Sequence, residues 1–134
     1  MNTLMRTGFL AAATMNIGGV LTFSKFFTND AINLFDPVVM SNFGLFMIVI
    51  WGLAYAGGAF IEDNTRWLAG AFAIEKAVYV FIWSNWMLNN SLFAVYEVDL
   101  FAGIFYSIYG LNDLAFMLFF AWAFWAQSPQ KQSA

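Results

Sequence analysis

From Val38 to Ile61 the chain runs without a single charged side chain, and that uninterrupted stretch constrains the fold more than any other feature. A helix rises about 1.5 Å per residue and the hydrocarbon core of a bilayer is about 30 Å thick, so about 20 apolar residues make one crossing. Three further stretches reach that length: Gly8 to Phe27, Trp67 to Leu88, and Leu100 to Ala126. The chain of 134 residues is 62% hydrophobic and 10% charged, with a mean hydropathy of +0.70. Soluble domains carry about 25% charged residues, so the expected environment is lipid. The expected fold is all-α, a single integral membrane domain over 1–134 built as a four-helix antiparallel bundle with spans at about 8–27, 38–61, 67–88 and 100–126.

The connecting segments are short and polar. Thr28 to Pro37 reads as a loop, with Asn29, Asp30, Asp36 and Pro37 as helix breakers and a source of an N-cap for the second span. Glu62 to Arg66 is so brief that the second and third spans should be neighbours in a hairpin. A longer loop carries Glu97 and Asp99, and the tail from Gln127 onward reads as polar and frayed. Arg6 followed by Ala11, Ala12 and Ala13 also resembles a signal peptide, but the expectation is a retained first span. Gly18 and Gly19 in that span, and Ala54 with Gly58 in the second, read as close helix-packing positions.

Orientation follows from the bases. Arg6, Arg66 and Lys131 fall at one side of a four-span arrangement, and only Lys25 lies near the other, among Asp30, Asp36, Glu97 and Asp99. Because basic residues accumulate on the cytoplasmic side, both termini are expected there, in a bacterial inner membrane. No convincing inverted repeat joins the two halves.

Composition also excludes functions. With no Cys and no His, the chain lacks disulfides, thiolate metal sites, the commonest haem and zinc ligand and the commonest proton shuttle. No metal site is expected, and no cofactor. Eight acidic against five basic residues, scattered along the chain, leave no basic face for nucleic acid. The 21% aromatic content is accounted for by lipid-facing Phe and interfacial Trp and Tyr, with room for bound lipid, quinone or pigment at the outer faces.

The exception to this apolar pattern is Glu75-Lys76, in the middle of the third span, with Asp113 midway along the fourth. An ionised side chain at the bilayer centre costs roughly 2.5–3.5 kcal/mol on insertion scales, so such residues face partners or a wet cavity. Counted from the same membrane face, Asn16 and Glu75 lie at about 12 Å and Lys76 at about 13.5 Å. The expectation is a Lys76 to Asp113 ion pair at one level, with Glu75 sharing the ammonium or carrying a proton. Tyr79 and Trp83 share a helix face with Lys76, Tyr109 shares one with Asp113, and Asn112 and Asn85 supply amides. The same groups could hold a cation between carboxylates and aromatic faces, or form a self-satisfied network that fixes helix pairing.

The segments Phe43 to Ala59, the turn ending at Arg66-Trp67, the stretch AIEKAVYVF around Lys76 and the stretch LNDLAFMLFFAWAF around Asp113 resemble small bacterial four-span proteins related in style to the DoxX-like families. That resemblance implies a four-helix bundle with Lys76 and Asp113 as paired polar positions. It implies no established activity. Small multidrug transporters are four-span too, but place a Glu in the first span where this chain has Asn16. Three functions remain in order of expectation. The first is a non-enzymatic accessory or assembly subunit, a homo-oligomer or part of a larger membrane complex, whose central charges specify packing. Next comes a binder or carrier of a small cation or proton through Glu75, Lys76 and Asp113, and last a lipid-modifying enzyme.

Overall fold

A computed structural model describes residues 1–128, and among them the chain is all-helical, without strands. Six helices follow one another: α1 (Thr3–Phe23), α2 (Asp30–Phe35), α3 (Asn42–Ala59), α4 (Arg66–Asn89), α5 (Leu92–Val98) and α6 (Leu100–Ala126). Three of them, α3, α4 and α6, are long and apolar enough to cross a membrane. Helix α1, with 21 residues, has the length but not that composition, because it carries Arg6, Asn16 and several Thr.

Local chemistry moves the helix ends away from where hydropathy puts them. Helix α1 starts upstream of the expected Gly8, because the Asn2 side chain accepts the Met5 N–H at 2.8 Å and caps it. It also stops short of Phe27. Lys25, Phe26 and Phe27 take left-handed backbone angles of 52°, 56° and 66°, a conformation that turns the chain and that L-residues other than Asn and Asp rarely adopt. The Ser24 hydroxyl accepts the Phe27 N–H at 2.9 Å and Asn42 reaches the Phe27 carbonyl at 3.1 Å, holding the turn. Ser41 delays the start of α3 past the expected Val38 by capping the Gly44 N–H at 3.0 Å. Helix α6 occupies the expected residues, with Asp99 as its N-cap.

Two segments expected as loops contain short helices. Asn29 caps α2, whose Ile32 is buried and whose backbone is pinned by Tyr106 Oη to the Ile32 carbonyl at 2.6 Å and Trp86 Nε1 to the Phe35 carbonyl at 3.0 Å. Ser91 caps α5, which lays buried Val95 against α6. Hydropathy alone does not register such helices, since capping and one or two buried side chains create them. At the other end Gln127 is buried rather than frayed, accepting the Thr65 N–H at 3.0 Å and donating to the Ala123 carbonyl at 3.1 Å. The expected frayed tail beyond Ser128, Lys131 included, lies outside the described residues.

The helices pack as two pairs, α1 along α3 and α4 along α6, with α1 also touching α6. Helices α3 and α4, joined by the turn at 60–65, meet chiefly through side chains, such as the Tyr55 and Phe72 rings 4.7 Å apart. Glycines serve packing selectively. A Cβ at Gly52 would come within 2.7 Å of Ile17, and one at Gly58 within 3.0 Å of Leu68 and Phe9. Gly18 and Gly19, expected at close contacts, face open space instead, and Ala54 is exposed.

Two apolar clusters fill the interior. One gathers Phe9, Ala13, Tyr55, Phe72 and Phe120 near the Arg6 and Arg66 end, and the other Val20, Ile32, Leu45, Trp86 and Tyr106 near the Lys25 and Asp99 end. On α1 Asn16 falls between Ala13 and Val20, on α4 Glu75 and Lys76 fall between Phe72 and Trp86, and on α6 Asp113 falls between Tyr109 and Phe120. The polar groups therefore form a layer between two greasy ones.

Candidate functional site

Lys76 is the hub of that layer. Its side chain is 1% exposed, and its ammonium donates to Asp113 Oδ1 and to Asn16 Oδ1, both at 2.8 Å. The Nζ also stands 5.1 Å from the centre of the Tyr55 ring, within reach of cation–π attraction. Asn16 in turn donates through Nδ2 to the Ile48 carbonyl at 3.0 Å, so one side chain on α1 connects the hub to α3. Asn112 adds a longer contact of 3.3 Å to Asp113 Oδ1. A buried salt bridge between opposite charges from α4 and α6, as depth along the two helices led one to expect, is thus present.

Of the two alternatives expected for Glu75, the structure speaks against sharing the ammonium: the Tyr55 hydroxyl of α3 donates to Glu75 Oε1 instead. Adjacent residues on a helix project about 100° apart, so Lys76 turns toward α1 and α6 while Glu75 turns toward α3. Glu75 also lines, with Trp51 and Tyr79, a groove between α3 and α4.

The remaining expected members divide. Trp83 donates its Nε1–H to the Tyr106 carbonyl at 2.7 Å and packs its ring over Gly110, so it braces α4 on α6 rather than facing the ammonium. Tyr79 is half-buried at the groove. Tyr109 is 7% exposed, and its hydroxyl has no hydrogen-bond partner among the described residues. Asn85 is exposed and bonds Asn89, away from the centre. The aromatic ring the ammonium meets is Tyr55, which was not among the residues expected at the polar centre. As the one phenol of α3, set among apolar residues, it was the available signal.

Asn16, Asp113 and Tyr109 also border a cavity of about 60 Å³ between α1, α3 and α6. Among the described residues no three His, Cys, Asp or Glu side chains gather as they would around a transition metal.

Fold and site together define a class: an all-helical protein with three helices suited to a membrane and a buried ion pair at the junction of its helix pairs. Comparison with known proteins adds no narrower assignment. No family model matches the chain, and neither a curated protein nor a solved structure does.

Proposed function

We propose that the chain is a four-span protein of a bacterial inner membrane, both termini cytoplasmic, acting as a non-enzymatic accessory or assembly subunit whose central charges specify helix packing. The observation that carries this reading is how the ammonium of Lys76 is spent. Both of its hydrogen bonds go to the protein's own helices, and with Asn16 to Ile48 and Tyr55 to Glu75 the polar layer ties α1, α3, α4 and α6 together. A buried polar network of this kind penalises every alternative pairing, since a slipped helix would strand a charge.

Depth supports a fourth span. If Lys76 lies mid-membrane, the α1 residue that meets it must lie there too, and α1 is long enough, at about 1.5 Å per residue, to reach both surfaces. The orientation rests on Arg6 and Arg66 at one end and the acid-rich Lys25 end opposite. Outward-facing Ile74, Phe81 and Leu118 offer apolar surface to lipid or to a neighbouring subunit. The likeness in style to DoxX-like proteins agrees with a paired Lys76 and Asp113 and adds no activity.

Mass measurement after mild extraction tests the proposal. An assembly larger than the 15.1 kDa chain is expected, and Lys76→Met, which strands the Asp113 carboxylate, should weaken it. A monomer that moves protons or cations into liposomes, with Glu75→Gln abolishing the flux, would overturn it in favour of a carrier.

A further inference from the structure

We propose that the groove between α4 and α6 at the Arg66 end is a binding site for one anionic phospholipid, with its phosphate on Arg66 and an acyl chain laid between the two helices. Such a site goes beyond the packing role and does not rest on it; it needs only that α4 and α6, both long and apolar enough, cross the membrane.

Arg66 is a cation without an anionic partner. Among the described residues it makes no salt bridge, and its Nε, although buried, has no hydrogen-bond partner there. Its guanidinium lies instead over two rings, 4.0 Å from the centre of Phe124 and 4.7 Å from that of Trp67. The two acids of the preceding turn, Glu62 and Asp63, line a separate polar hollow with Met1 and Gln127. Arg66 also opens α4, and the Thr65 side chain, which donates to Gln127 Oε1 at 3.2 Å, gives the N–H groups of that first turn no cap. A guanidinium fork matches the oxygens of a phosphate, and the positive end of a helix adds to the attraction.

The rings that receive the guanidinium also shape the groove. Trp67 and Phe124 line it with Trp125, Gly70, Ile74 and Ala121, around a volume of about 480 Å³ that is almost wholly apolar and open on its outer side. A Cβ at Gly70 would come within 2.9 Å of Phe124, so glycine lets that ring lie against α4. From Trp67 to Ile74 the helix advances about 10 Å, which carries the groove from the membrane surface into the hydrocarbon region. Trp67 and Trp125 are largely exposed, and their indole N–H groups bond nothing among the described residues, unlike those of Trp83 and Trp86. Such amphipathic rings sit at headgroup level. An apolar groove open to the outside suits a chain supplied by the surrounding lipid, and the cation at its head suits a phosphate. With no acid against Arg66, a headgroup of net negative charge is favoured over a zwitterionic one, whose own ammonium already accompanies its phosphate.

The full chain in non-ionic detergent is mixed with dioleoylphosphatidylglycerol or dioleoylphosphatidylcholine, and bound lipid is counted by native mass spectrometry. One phosphatidylglycerol per chain is expected to bind about tenfold tighter than phosphatidylcholine, the worth of one charge-assisted contact. Arg66→Gln should remove that preference while phosphatidylcholine binding stays. Ala71→Phe, at an exposed position lining the groove, should weaken both lipids, whereas Ala77→Phe, exposed on the same helix but outside the groove, should leave both unchanged. Equal affinity of the wild type for the two lipids, full preference in Arg66→Gln, or equal effects of Ala71→Phe and Ala77→Phe would overturn the proposal. Displacement of the lipid by inorganic phosphate would do the same, since the headgroup alone would then be held. So would a lipid-free dimer that Ala71→Phe dissociates, which would give the groove to a second copy of the chain. Should Arg66→Gln fail to fold, Ala71→Phe against Ala77→Phe decides alone.

Discussion

Replacing Lys76 by Met keeps the length of the side chain and deletes its charge. The change removes two hydrogen bonds of 2.8 Å and strands Asp113, whose remaining contact is the 3.3 Å bond from Asn112. Breaking one side of a buried ion pair costs about 3–5 kcal/mol, because the partner stays behind without compensation. Replacing both partners by apolar groups of similar volume is often neutral or stabilising by about 1–4 kcal/mol, since no charge then needs to be buried. The double variant Lys76→Met with Asp113→Leu keeps one defect, the Asn16 oxygen left without its donor, worth about 1–3 kcal/mol. The double variant should therefore be more stable than Lys76→Met alone by about 2 kcal/mol. The coupling energy, which adds the cost of Asp113→Leu alone to that difference, then exceeds the roughly 0.6 kcal/mol average of ordinary interhelical hydrogen bonds in membranes. Unfolding in mixed micelles with increasing dodecyl sulfate, followed by tryptophan fluorescence, measures it; Trp86, buried and stacked on Tyr106 at 4.5 Å, supplies the signal. Destabilisations that simply add, or a Lys76→Met variant within about 1 kcal/mol of wild type, would refute the idea that this pair organises the interior.

Further outcomes are expected from the same unfolding assay. Tyr55→Phe removes the donor to Glu75 and should cost about 1–3 kcal/mol, whereas Glu75→Gln, which still offers Tyr55 an oxygen, should cost less. Gly110→Ala drives a methyl into the Trp83 ring, which its bond to the Tyr106 carbonyl holds in place, and should cost about 1–3 kcal/mol; Gly57→Ala, with nothing nearby, should be neutral or slightly stabilising. Phe26→Gly relieves a left-handed residue that is 71% exposed, and should stabilise by roughly 0.5–1 kcal/mol after the entropy of glycine is subtracted. The carboxyl of Asp99, outside the spans, has burial acting to raise its pKa, but hydrogen bonds from the Ala102 N–H, Asn29 and Lys25 outweigh it and hold the group below its ordinary value of 3.8. A depressed folded value means stability present above pH 3.8 and lost as pH falls through the lower folded value; Asp99→Asn should remove that part of the acid loss.

Much of the architecture is legible along one dimension. Level within the molecule follows from residue count, because each helical residue advances a constant distance, so Asn16, Lys76 and Asp113 could be matched before any contact was known. The same regularity places α6 on its expected residues and α4 within one residue at each end. Hydropathy was less reliable for the first helix and for the loops. The ends of α1 depend on Asn2 and on a left-handed turn, and α2 and α5 on caps and buried single residues, none of which alters the mean apolarity of a segment.

What the chain determined by itself is a helical molecule of long apolar segments with opposite charges at one depth, because composition and rise per residue are properties of the string. Beyond the Lys76–Asp113 pair, which neighbour each polar group meets was decided only on folding. Direction around a helix axis acquires meaning when other helices surround it, and the pairing of α1 with α3 and of α4 with α6 turns Lys76 to Asn16 and Asp113 while turning Glu75 to Tyr55. The cavity beside Asp113 has the same origin: it is the space three helices leave where Gly19 brings no side chain, and no single segment encodes a gap.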